Sequence, residues 1–146
     1  RLFQEIREKR GLAYSVYSFN QAYSDGAIFG LYAGCSPAKA KEVTALMASE
    51  LERVATDGIS EDELVLARGN ISGSLALKFE SSMARMNRLF STEIFNGKFL
   101  DLDETLARYS QVSLEGVQAV AAELASRDRA LVAVGDLEGK ALKSFV

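Results

Sequence analysis

The chain is predicted to fold as an α+β domain of two layers, a small, mostly antiparallel sheet with helices packed on one face. Three observations predict it. Residues 14–23 (YSVYSFNQAY) and 27–35 (AIFGLYAGC) are rich in aromatic and apolar residues and flank the turn signal Ser24-Asp25-Gly26, the pattern of a hairpin. Residues 36–125 then carry apolar stripes at helical spacing, punctuated by capping residues. A last β-branched run, Ala130-Leu131-Val132-Ala133-Val134, ends at Gly135-Asp136 and is predicted to join the same sheet near 129–135.

Each element has a local reason. Leu2 to Arg10 reads as a helix with a mixed charged face, stopped by Gly11 at a left-handed cap position, with cations facing the negative end of the helix dipole. Leu12-Ala13 turns the chain and Tyr14 opens the first strand. Gly30 and Gly34 thin the second strand, which predicts a bulge or a tight helix crossing. Ser36 and Pro37 supply an N-cap and a first helical position. The helix that follows has Val43, Leu46, Met47, Leu51 and Val54 on one face and Gly58 at its end. Ser60-Glu61-Asp62-Glu63 is a capping box for a helix whose apolar face runs Leu64, Ala67, Ile71, Leu75 and Phe79. Gly69 and Gly73 on that helix would permit close backbone approach. A third helix over 81–96 is expected to bury Met83, Met86, Leu89, Phe90 and Ile94 and to stop at Gly97. Asp101, Asp103 and Glu104 start a short helix near 103–110. Ser113 caps another through about 125, with Val117, Val120, Ala121 and Leu124 inward. The tail after Leu137 has no clear pattern.

Composition narrows the function. At 146 residues the chain is the size of a single domain, with 48% hydrophobic and 25% charged residues. A net charge of −3 and a pI near 5.1 leave no basic stripe for phosphates, so neither nucleic acid nor an anionic membrane surface is an expected partner. No apolar run reaches the length of a membrane span and no signal segment leads the chain, so a cytoplasmic location is expected. The single Cys35 excludes an internal disulfide and, at the end of an apolar strand, reads as a buried thiol. There is no histidine at all. That removes His-based zinc sites and the Ser–His and Cys–His dyads together. No cofactor is expected in this chain, and alone it is expected to bind no zinc tightly and cleave no peptide.

The candidate site is Arg7 and Tyr14. They stand seven residues apart, at the end of a helix and the start of a strand, and a tight turn between them can aim both side chains at one space. A guanidinium fork beside a phenol can grip a peptide carbonyl or a developing oxyanion. The plainer alternative is a solvated helix end and a strand aromatic.

The run Arg7-Glu8-Lys9-Arg10-Gly11-Leu12-Ala13-Tyr14, placed between a helix and a strand, resembles the C-terminal halves of the pitrilysin-type zinc peptidases, the group of insulysin and the mitochondrial processing peptidase. The resemblance is specific over residues 1–34 and looser beyond, where it rests on helix order and the final strand. It implies the C-terminal, non-metal domain of a zinc metallopeptidase, in which Arg7 holds a substrate carbonyl and Tyr14, the catalytic residue, donates to the tetrahedral oxyanion. It implies a peptide substrate, with zinc held by an N-terminal domain or a partner subunit carrying an inverted His-x-x-Glu-His helix. It also implies that the 129–135 strand shares the hairpin's sheet. The alternative within the same fold is a catalytically inactive scaffold or processing-peptidase-like subunit that acts through heterodimers or complex assembly. Beginning at Arg1 in mid-helix, the chain reads as a fragment lacking the family's first strand and helix, which predicts self-association through the uncovered side.

Overall fold

The computed structural model describes residues 1–137 and Leu142. The opening helical segment spans Phe3–Glu8, followed by β1 (Ser15–Ala22), β2 (Ala27–Gly34), a 3-10 turn at Pro37–Lys39, α1 (Ala40–Asp57), α2 (Glu61–Phe79), α3 (Ser82–Asn96), α4 (Leu102–Ser110) and α5 (Leu114–Ser126). The α+β class is as predicted. The chain forms two compact units, one of Arg1–Gly58 with the chain from Gln118 onward, the other of Ile59–Val117.

In the first unit β1 and β2 pair antiparallel from Ser15 opposite Gly34 to Ala22 opposite Ala27. Tyr23 N donates to Gly26 O at 2.8 Å and closes the turn that Ser24-Asp25-Gly26 signalled. One face of this ribbon presents Val16 and Ala33 to a core of Ile6, Leu12, Ala13, Val16 and Val43, with Leu46 and Met47 of α1 packed against it. Ile6 is 0% and Val43 1% exposed, and full burial of one such side chain stabilises by about 1.5–3 kcal/mol. Gly30 has a different reason from the one expected. The Phe19 ring of the paired strand lies over it, and a Cβ there would come within 2.3 Å of that ring.

The start of α1 departs from the expected cap. Ser36 is extended but its hydroxyl accepts no capping bond; Lys39 N donates instead to Ser36 O and winds a 3-10 turn before the α-helix. Its end is as predicted, with Gly58 at φ 73°. The last carbonyls of α1, which have no partner within the helix, accept from side chains: Thr56 O from Gln118 at 3.3 Å and Gly58 O from Arg1 at 3.1 Å.

The expected third strand is absent among the described residues, where the sheet has two strands. Residues 129–135 pair with neither β1 nor β2. Arg129 ties the start of this segment to helices, donating to Ala125 O at 3.0 Å and to Glu52 Oε1 at 3.3 Å. Val132 and Val134 are left 86% and 96% exposed. Alternation marks a segment suited to a sheet, but a strand needs an edge in register beside it, and this segment's anchors are helical. The sequence beyond Leu137, Leu142 excepted, lies outside the described residues.

The second unit is helical. The Ser60 capping box forms, with Glu63 N donating to Ser60 Oγ at 3.2 Å and Ser60 N donating to Glu63 Oε2 at 2.9 Å. Asp101 and Ser113 cap α4 and α5 through Glu104 N at 2.7 Å and Gly116 N at 3.1 Å. Leu64 is buried, whereas Ala67 is exposed. Among the described residues a Cβ at Gly69 or Gly73 would meet nothing within 4 Å, so none of their backbone approaches there. The largest correction concerns α3. Its bounds and its left-handed stop at Gly97 agree with the sequence, but Met83, Met86, Leu89, Phe90 and Ile94 are all exposed, Met83 by 61% and Phe90 by 65%. The inward side is Ala84, Arg88 and Thr92, chosen by hydrogen bonding. Arg88 donates to Leu100 O at 3.0 Å and to the Thr105 hydroxyl, and its guanidinium stacks 5.2 Å from the Phe79 ring centroid. In α5, Ala121 is buried as expected and Val120 is exposed.

Candidate functional site

The turn that carries Arg7 and Tyr14 is built by the core beneath it. The Phe3–Glu8 segment is wound wider than an α-helix, with Lys9 N donating to Gln4 O five residues back at 2.9 Å; such turns concentrate at functional sites. Gly11 N then donates to Arg7 O at 3.0 Å and Leu12 N to Ile6 O at 2.9 Å, with Gly11 at φ 60°. That left-handed geometry costs a residue with a Cβ more than it costs glycine. Leu12 and Ala13 are both buried and anchor the turn. Tyr14 N donates to Gly34 O at 2.8 Å, although Gly34 is already the partner of Ser15. Two residues thus face one at the strand entrance, the alternation breaks there, and Tyr14 emerges 86% exposed.

Arg7 and Tyr14 are brought together. The guanidinium carbon of Arg7 lies 5.9 Å from the Tyr14 ring centroid and 4.8 Å from that of Phe3. Contacts of this kind at exposed sites contribute about 0.5–1 kcal/mol, enough to orient the fork. On another side of this turn the Glu5 carboxylate is engaged by Lys9 at 2.5 Å and Arg10 at 2.7 Å. Those two cations hold the Glu5 carboxyl down at about 2, well below its ordinary value. Among the described residues Arg7 makes no ion pair. Its charge and donors are open to a ligand, and beside them stands an exposed phenol.

Phe3 was not picked out from the sequence, though its i, i+4 spacing to Arg7 signals the stack. Neither was the aromatic surface on the ribbon's other face. There Tyr17 stacks on its register partner Tyr32, with centroids 4.9 Å apart, and Phe19 lies 6.4 Å from Tyr17. The hairpin register is the signal that would have found it. Cys35 packs partly buried against the core, and burial raises its thiol pKa.

The donor set does not suit zinc. The chain has no histidine and one cysteine, and among the described residues no three acidic or sulfur ligands gather closely enough to hold a metal ion. No described helix is long and apolar enough to cross a membrane.

Residues 1–71 match the family described as the peptidase M16 inactive domain. An uncharacterized zinc protease of Streptomyces coelicolor is 42% identical over 140 residues, 96% of this chain and 30% of that protein. One of Mycobacterium tuberculosis is 46% identical over 127 residues, 87% of this chain and 29% of that protein. Among solved structures, the periplasmic protease PqqL of Escherichia coli superposes with a TM-score of 0.67 at 26% identity, over 82% of this chain and 14% of that one. A chain of complex III2 from Candida albicans superposes with a TM-score of 0.75 at 20% identity, over 84% of this chain and 29% of that one, and so shares the fold. The chain therefore belongs to the M16, or pitrilysin-type, zinc peptidase family, as its C-terminal, inactive domain. It spans about a third or less of the length of these curated relatives. The family assignment stands without the third strand that the resemblance led us to expect.

Proposed function

We propose that this domain binds peptide substrate and stabilises the transition state of peptide hydrolysis in a longer zinc metallopeptidase, with Arg7 and Tyr14 as its working residues. The observation that carries the reading is the open guanidinium held beside an exposed phenol on a turn anchored in the core. Arg7 would hold a peptide carbonyl with its planar fork. Tyr14 would donate its hydroxyl to the oxygen that gains charge as the carbonyl becomes tetrahedral. The half-exposed rings of Tyr17, Phe19 and Tyr32 add an apolar surface along which an extended peptide could lie. Because this chain lacks the ligands for zinc, the metal and the base would come from a zinc-bearing domain or partner subunit.

The test is turnover of the zinc-active protein carrying this domain. Tyr14→Phe removes one hydroxyl and keeps the ring, so the fold survives while kcat falls by about 10²–10³-fold, the loss typical of a single oxyanion donor. Arg7→Lys raises KM, since an ammonium cannot reproduce the fork. Near-wild-type kinetics in both variants would overturn the assignment.

A further inference from the structure

Among the described residues the Arg7 side chain makes neither an ion pair nor a hydrogen bond. A long side chain left in that state samples many rotamers, and binding a ligand must freeze them. What holds this fork is aromatic. Its guanidinium carbon lies over the Phe3 ring, 4.8 Å from the centroid, and 5.9 Å from that of Tyr14. Both distances fall within the reach of a cation–π contact, about 6 Å.

The two rings differ in how firmly the protein holds them. Tyr14 is 86% exposed and Phe3 43%, so Phe3 is the ring with the better anchorage. Leu2 beside it packs against the core of Ile6 and Val43. Phe3 and Arg7 stand four residues apart on the same wide turn, Phe3–Glu8, a spacing that makes side chains neighbours. The chemistry of the contact also suits the task. A carboxylate in place of the ring would hold the guanidinium too, but it would occupy donors and offset the charge. An aromatic face attracts the cation through its quadrupole and leaves the N–H donors for a carbonyl.

We propose that Phe3 is a positioning residue, whose ring holds the Arg7 guanidinium in the orientation that receives the substrate carbonyl and does not itself touch substrate. The inference rests on the assignment of Arg7 to substrate binding.

Kinetics of the zinc-active protein carrying this domain test it. Phe3→Leu keeps apolar bulk and loses the ring face, and Phe3→Met gives a second reading of the same change. In both, KM should rise about threefold to fivefold, the range that one cation–π contact supplies. A loosened fork weakens ground state and transition state alike, so kcat should not change; Tyr14 keeps its own anchor, its N–H donating to Gly34 O. Phe3→Tyr retains the face and should keep the wild-type KM. The decisive comparison is the double variant F3L/R7A, which should have the KM of Arg7→Ala, because no guanidinium remains to be placed. A further rise in F3L/R7A would mean that Phe3 acts on substrate or fold directly, and overturns the proposal. So does a fall in kcat that matches the rise in KM, or a Phe3→Tyr variant as impaired as Phe3→Leu. A wild-type KM in Phe3→Leu beside a raised one in Arg7→Ala overturns this inference and leaves the role of Arg7 standing. A wild-type KM in Arg7→Ala overturns both.

Discussion

The two units of this chain hold themselves together by different means. In the first, a helical turn, a hairpin and α1 converge on apolar side chains, with Ile6 and Val43 essentially removed from water. In the second, the only large apolar residue buried among the described residues is Leu64, and two arginines tie the helices by grasping main-chain carbonyls. Arg88 of α3 reaches Leu100 O and the Thr105 hydroxyl of α4 while stacking on Phe79 of α2. Arg68 of α2 donates to Val112 O beyond α4. Apolar burial is non-directional and scales with area, whereas a guanidinium bond is directional and depends on one residue. The first unit should therefore fail through volume and the second through a lost donor.

The largest contrast is between Ile6 and Phe90. Ile6→Ala opens a cavity at a fully buried site and should lower stability by about 2–5 kcal/mol. Phe90→Ala removes a larger side chain from the 65% exposed stripe of α3 and should cost the isolated protomer less than about 1 kcal/mol. Chemical denaturation measures both. Equal losses would show that α3 is covered within its own protomer and break the comparison.

Arg88→Ala comes next. It leaves Leu100 O short of a donor and removes the stack on Phe79, and a lost hydrogen bond from a charged group costs about 1.5–3 kcal/mol. Hydrogen exchange should show faster opening of α3 and α4 with little change in the hairpin. Uniform acceleration across both units would mean that they unfold as one.

These contrasts also explain what was legible in the sequence. Helix ends were readable because caps are local: Ser60 with Glu63, Asp101 with Glu104 and the positive-φ glycines at 58 and 97 each involve a few neighbouring residues. The closeness of Arg7 and Tyr14 was readable for the same reason, since one short turn brings the two side chains together. The stripe on α3 was recognised as helical but assigned to the wrong side, because periodicity reveals an apolar face without revealing what meets it. Which face turned inward was settled by Arg88 and carbonyls some twelve residues away, which no spacing rule displays. The run at 130–134 misled similarly: its strand character is local, whereas pairing requires a distant edge in register.

The smallest expected effect is confined to the first unit and depends on pH. Lys9 and Arg10 both donate to Glu5, and they lower its carboxyl from the ordinary 4.5 to about 2. Above pH 4.5 the folded and unfolded states are both ionised at this group, and its stabilising contribution is complete. Between 4.5 and about 2 the unfolded chain takes up the proton and the folded one does not, so the contribution declines as pH falls and is gone below about 2. Because the group is open to solvent, salt should screen the effect. Carboxyl carbon NMR should place the Glu5 midpoint near 2 at low ionic strength. The double variant K9Q/R10Q should return it toward the ordinary value, and the Phe3–Glu8 turn should then fray without disturbing α2 to α4. A Glu5 midpoint near 4.5 in the wild type would show that the two cations are not held on this carboxylate.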